Sequence, residues 1–153
     1  MAGAIVVGVD GSEASRDAMR WAAEEARLRS ASLVAIYTWS FIPPQPIGDP
    51  GMLAVPVGDL PGQLSAEEDA ARAALDAAVD QALGAEPGIE VERKLAEGDA
   101  GDVLVAESAD AELLVVGSHG RSGFKAAILG SVSRHVVAHA SCPVVVVKTR
   151  PSD

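Results

Sequence analysis

Short apolar runs alternate with longer amphipathic stretches along this chain. Ala4 to Val9 is continuously apolar and rich in β-branched residues, the pattern of a strand buried on both faces. Asp10-Gly11-Ser12 closes it, and Ser12 is placed to cap a helix whose first turn carries Glu13. That helix is predicted over 13–29, with Ala14, Ala18, Trp21 and Leu28 on its packed face and Glu25 as a misfit there. Ser32 to Trp39 reads as a second strand. Ser65-Ala66-Glu67-Glu68 fits a capping box opening an Ala-rich helix to about Leu83, with Gly84 closing it. Ile89 to Leu95 alternates apolar and charged residues, as an edge strand with one wet face does. Asp99 can cap a short helix reaching about Ser108, Leu113 to Val116 is a fourth strand, and Gly130 to Ala140 a fourth helix. The four valines of Val144 to Lys148 make a fifth strand.

The β-α alternation implies one α/β domain with a parallel sheet and helices on both faces, as in the flavodoxin and mononucleotide-binding arrangements. Its ligands sit beyond the carboxyl ends of the strands, where strand order reverses. One segment breaks the pattern. Residues 40 to about 63 hold six of the nine prolines and read as an irregular insertion within the domain that spans 1–150.

Composition narrows the function. Aromatics are 3% of the 153 residues, so the core is aliphatic, and the net charge of −10 argues against nucleic acid and anionic membranes as partners. No apolar run approaches the ~20 residues of a membrane span, and the N-terminus lacks a signal-peptide pattern. A single cysteine, Cys142, leaves no intrachain disulfide, and the expectation is a soluble cytoplasmic protein.

The candidate chemistry lies at Gly117-Ser118-His119-Gly120, directly after the fourth strand, and at Gly130-Ser131, where the fourth helix opens. Glycines let a backbone approach oxygen atoms closely, and a helix N-terminus presents amides and partial positive charge to phosphate. His119, Arg121 and Lys125 lie beside the motif. It is neither a Walker A loop nor Gly-x-Gly-x-x-Gly. Asp10 is both a turn former and a site candidate. A carboxylate repels phosphate, so it belongs at a sugar or a metal. Ser12 is read as a cap, His119 as a loop residue that touches phosphate, and Cys142 as a small buried residue. His135 and His139 have the i, i+4 spacing of zinc ligands but no evident third ligand.

Gly117-x2-Gly120-x9-Gly130-Ser131, together with Val6-Val7-Gly8-Val9-Asp10-Gly11-Ser12 and His139-Ala140-Ser141-Cys142-Pro143 before the valines, resembles the universal stress protein family in its ATP-binding branch. The resemblance implies strand order 3-2-1-4-5 in a flavodoxin-like, or adenine nucleotide alpha hydrolase-like, fold. It implies Asp10 on the ribose side, with Gly11 among the nucleotide-binding residues, and backbone near Thr38 at adenine. Gly117, Gly120, Gly130, Ser131 and Val132 would meet ribose and phosphates, with Ser133 nearby. ATP, or AMP or ADP, would be the ligand, with Mg2+ or Mn2+ on the phosphates. It also implies a homodimer paired through Val144 to Lys148. Tyr37 and Thr38 depart from residues common in the family. The function expected is a regulatory nucleotide switch in stress or growth control. The alternatives are a slow ATPase or adenylate-cleaving enzyme, and a dimerisation module without nucleotide. No parts of an efficient phosphoryl-transfer site are evident.

Overall fold

The structure is a computed structural model describing residues 3–41, 60–120 and 129–149. Five parallel strands form one sheet in the order β3-β2-β1-β4-β5. In sequence they are β1 (Ala4–Val9), β2 (Ser32–Trp39), β3 (Val91–Glu97), β4 (Leu113–Gly117) and β5 (Val144–Val147). The helices between them are α1 (Glu13–Arg29), α2 (Leu60–Leu83), α3 (Ala100–Glu107) and α4 (Ser131–His139).

Side-chain alternation divides the core into two layers. Ile5, Val7, Leu33, Ala35, Leu113 and Val115 point to one face and pack with buried residues of α1 and α2. Val6, Val34, Ile36, Leu114 and Val116 point to the other, against Leu104 of α3 and Val136 of α4. Burial on both faces is why these strands read as unbroken apolar runs rather than alternating ones. Ser12 caps α1 as expected, its side chain accepting the Ser15 N–H, and Asp99 caps α3 by accepting the Asp102 N–H. Gly84 closes α2 with φ +73°, a conformation that favours glycine, and its N–H bonds the Asp80 carbonyl.

Three details differ from the sequence reading. The buried face of α1 is Ala14, Ser15, Ala18, Met19, Ala22, Ala23 and Ala26, whereas Trp21 is 37% exposed and Leu28 81% exposed. Apart from Met19 the buried residues are small and let the helix lie close to the sheet, and Trp21 and Leu28 turn away from it. Helix α2 begins at Leu60, so Ser65 lies inside it and opens no capping box. Pro61 is compatible with this earlier start, because a first-turn amide has no intrahelical partner. The expected insertion therefore ends by Leu60, and its residues 42–59 lie outside the described ones. Strand β3 is shifted two residues onward, because its register is set by β2, with Leu33 opposite Val91 and Trp39 opposite Glu97.

The two sheet edges differ. At β3, Arg93 donates to Asp76 at 2.9 Å and to Asp80 at 2.6 Å, both on α2. The hydrogen bond to Asp76, then that to Asp80, raises the guanidinium pKa against the opposing effect of desolvation. At β5 the four valines are only partly buried.

Leu114 is fully buried in the centre of the sheet. Replacing it with Ala is expected to cost about 2–5 kcal/mol, through lost transfer energy and a cavity that only partly collapses. Denaturant unfolding reads this directly, and a loss below about 1 kcal/mol would contradict the packing described.

Candidate functional site

Strand β1 is paired with β2 on one side and β4 on the other. Helix α1 leaves β1 toward one face, and α4, following β4, covers the other. A crevice opens at the carboxyl ends of β1 and β4 as their chains diverge. It holds a cavity of about 260 Å³.

Of the residues singled out in the sequence, Asp10, Thr38, Gly117, His119, Gly120, Gly130, Ser131, Val132 and Ser133 all line this cavity. Gly11 does not; it sits in the β1–α1 turn at φ +80°, its carbonyl accepting from Arg16 Nη1 at 2.9 Å. Arg121 and Lys125 lie outside the described residues.

The Asp10 carboxylate is oriented by its own turn. Oδ1 accepts the Ser12 N–H at 2.8 Å, and the Asp10 N–H donates to Ser15 Oγ at 3.4 Å. Oδ2 is aimed at Gly120, where an added Cβ would stand 2.6 Å from it. Glycine at 120 is thus the condition for Asp10 to keep its carboxylate at the crevice.

The other glycines of the motif have different reasons. A Cβ on Gly117 would come within 2.9 Å of the Ala14 carbonyl carbon and 3.0 Å of its oxygen, so Gly117 lets the end of β4 pass against the first turn of α1. A Cβ on Gly130 would lie 3.1 Å from His119 Cα, where the two ends of the 117–130 segment meet. The Gly130 N–H is used internally, donating to the Ser118 carbonyl at 2.6 Å. As the N-cap of α4, Gly130 provides no side-chain cap, and the first-turn amides of Ser131 and Val132 have no intrahelical acceptor. Ser131 is exposed at this helix start. Ser118 is buried, and its Oγ lies 2.9 Å from Nδ1 of His119. The buried Ser133 hydroxyl donates to the Ser118 and Gly130 carbonyls rather than outward.

The remaining wall residues were not anticipated: Ser15 of α1, and an apolar set of Gly8, Val9, Ile36, Val116, and Ala100 and Leu104 of α3. Gly8 carried the one available signal. A glycine inside a β-branched run marks a close approach, and a Cβ there would sit 2.8 Å from Leu104 Cδ1. The approach of α3 over the crevice has no local sequence signature.

The pair His135 and His139 has a packing role. His135 Nε2 is 3.0 Å from Asp102 Oδ1 of α3, and the two rings stack with centroids 4.4 Å apart. Among the described residues no three His, Cys, Asp or Glu side chains stand together as a metal site. Also among them, no helix is long and apolar enough to cross a membrane.

The sequence profile of the universal stress protein family matches residues 1–148. A universal stress protein of Mycobacterium tuberculosis is 37% identical over 159 aligned positions, covering 97% of this chain and 48% of the relative. One from Mycolicibacterium smegmatis is 34% identical over 149 positions, covering 95% of this chain and 46% of the relative. The chain thus spans about half the length of these relatives. Among solved structures, the universal stress protein of Archaeoglobus fulgidus in complex with dAMP superposes with a TM-score of 0.60 at 28% identity, covering 94% of this chain and 96% of that one. A universal stress protein in complex with cAMP gives 0.59 at 26% identity, covering 97% and 98%. With the strand order and the match over nearly its whole length, this chain belongs to the universal stress protein family.

Proposed function

We propose that this chain binds an adenine nucleotide, ATP foremost and AMP or ADP by the same contacts, in the crevice between β1 and β4, and acts as a nucleotide-dependent regulatory switch. The observation that carries the reading is the meeting, around one cavity, of an oriented carboxylate, an uncapped helix N-terminus and an apolar floor. Each suits a different part of a nucleotide. Ile36, Leu104 and Val116 offer an apolar surface to a base, with Thr38 at its rim. Asp10 accepts hydrogen bonds from ribose hydroxyls. The first-turn amides of α4 and the glycine backbone before it receive phosphate oxygens, aided by the helix dipole. The volume of about 260 Å³ is at the small end for ligand sites, which suits a nucleoside with its phosphates toward the mouth. The dAMP and cAMP complexes of relatives with this fold lend support.

Among the described residues Asp10 is the only carboxylate on the cavity wall, so Mg2+ or Mn2+ would be held chiefly by the phosphates. Among the described residues no lysine or arginine lines the cavity to stabilise a transferring phosphoryl group. A ligand bound without rapid turnover shifts the balance between two conformations or two assembly states by its differential affinity. The assembly state we propose is a homodimer joined along β5. Leu114 N–H bonds the Pro143 carbonyl and Ser118 N–H the Val147 carbonyl, so odd-numbered residues of this strand face β4. By alternation, Val144 and Val146 direct their backbone N–H and C=O groups outward. An apolar strand edge of this kind needs covering.

Calorimetric titration with ATP, with and without Mg2+, is expected to give a Kd tighter than about 1 mM, equivalent to about −4 kcal/mol. Gly120→Val should weaken it at least about tenfold by displacing the Asp10 carboxylate, with little change in Tm. Absence of binding heat, together with no nucleotide in the mass spectrum of freshly purified protein, would defeat the proposal.

Val146→Pro removes an outward N–H without touching the β4 ladder. Light scattering should report a dimer for the wild type and a folded monomer for this variant; an unchanged mass would place the contact elsewhere.

A further inference from the structure

The segment that leaves β4 at Gly117 returns to open α4 at Ser131, and its two ends are fastened together. The Ser118 carbonyl accepts the Gly130 N–H at 2.6 Å and the Ser133 hydroxyl at 3.1 Å. The same hydroxyl lies 3.0 Å from the Gly130 carbonyl. Ser133 is 2% exposed, so water does not compete for these contacts. A hydroxyl carries one proton. Here that proton is shared between two carbonyls on the two sides of the junction. What the oxygen has left is lone pairs, which an anionic phosphate oxygen rejects. Ser133 is therefore poorly suited to be a phosphate ligand, although it lines the cavity.

We infer that Ser133 is a positioning residue: its hydroxyl fixes the spacing between the Ser118–Gly120 backbone and the first turn of α4, so that donors from both segments act as one phosphate cradle. The inference rests on the reading of the crevice as a nucleotide site. The physical reason is preorganisation. Gly130 gives α4 no side-chain cap, so its first-turn amides are held toward the crevice only by how the helix start is anchored. The Gly130 N–H to Ser118 bond is a single backbone contact on which the segment can pivot. The Ser133 hydroxyl adds a second point one turn into the helix, which removes the pivot. Donors held in place before the ligand arrives lose less on binding than donors that must be ordered by it. Among the described residues Ser133 also supplies the one side-chain hydrogen bond that crosses between the two ends, since the Ser118 Oγ contact with His119 Nδ1 stays within one end and the other crossing bond is backbone to backbone.

The test compares wild type, Ser133→Ala and Ser133→Thr in calorimetric titrations with adenosine, AMP and ATP, alongside thermal melts and amide hydrogen exchange of the ligand-free proteins. Ser133→Ala is expected to weaken AMP and ATP about five- to tenfold, the size of one hydrogen bond, with adenosine within about twofold of wild type. The Gly130 amide should exchange faster in that variant, and Ser133→Thr should restore both the exchange rate and the affinity for phosphate-bearing ligands. Equal losses for adenosine and AMP would overturn the inference in favour of a general structural role. Unchanged AMP affinity, or unchanged Gly130 exchange, would overturn it as well. Should Ser133→Ala fail to fold, Ser133→Cys, which keeps the volume with a weaker donor, is read by the same criteria. Wild type that binds none of the three ligands would defeat the reading of the site and the inference with it, whereas normal ligand selectivity in Ser133→Ala defeats the inference alone.

Discussion

Two adjacent parallel strands whose following helices go to opposite faces cannot both be covered at their carboxyl ends. That constraint governs this molecule. The chain after β1 turns to α1 on one side of the sheet, and the chain after β4 turns to α4 on the other. The strand order β3-β2-β1-β4-β5 makes β1 and β4 neighbours, so the divergence leaves a gap with strand ends for its floor and a helix N-terminus for its wall. The rest of the site follows from how residues use that gap. Asp10 is the first residue past β1, and Gly117 is the last of β4.

A gap this narrow has to be kept open, and the glycines do so in distinct ways. Gly117 removes a clash with the backbone of Ala14 and therefore serves the joint between sheet and α1. Gly120 removes a clash with the Asp10 carboxylate and so serves the cavity itself. Gly130 lets the returning chain pass His119. A motif that looks like one device in the sequence is three packing solutions at one crossing. A side chain at 117 or 130 would meet backbone, which yields little. One at 120 would meet the end of a carboxylate, which can swing away. Substitutions at the three positions therefore differ in kind: the first and third disturb the frame, and the second disturbs the chemistry.

The strands were legible because burial on both faces leaves only apolar residues, and β1, β2 and β4 begin where the composition changes. Helix starts were legible where a side chain caps them, as Ser12 and Asp99 do. The start of α2 was not, since Ser65 and Glu68 have capping-box spacing yet lie within a helix that already runs from Leu60. On the packed face of α1, Ala14 and Ala18 were read correctly, and Trp21 and Leu28 were misplaced because large apolar residues were given more weight than the further alanines. The sheet takes the alanine side, and Trp21 is left beside Ala82, Leu83 and Val147 at a surface groove. In the crevice, Gly117, His119, Gly120, Gly130 and Ser131 were legible from motif spacing, whereas Gly8 and Ser15 were not. The apolar wall contributed by Ala100 and Leu104 was not, because it depends on how α3 crosses β1 and on the missing Cβ of Gly8. Long-range approach of that sort is a property of topology, and no single stretch of sequence records it.

The two edges of the sheet complete the physical picture. At β3 the exposed ladder is flanked by charge: Arg93 is tied to α2 and Lys94 to Glu107 of α3. Such an edge discourages pairing with another strand, because charged side chains would have to give up water or their partners. At β5 nothing of the kind is present among the described residues, and the valines are left half-buried with outward backbone groups at 144 and 146. The same strand reaches the crevice through a single residue, Ser118. The Ser118 N–H donates to the Val147 carbonyl, and the Ser118 carbonyl accepts from Gly130. Sheet edge and cavity rim are therefore consecutive hydrogen bonds in one chain of contacts. A twist of β5 relative to β4 large enough to strain the first bond must either break it or move the acceptor of the second.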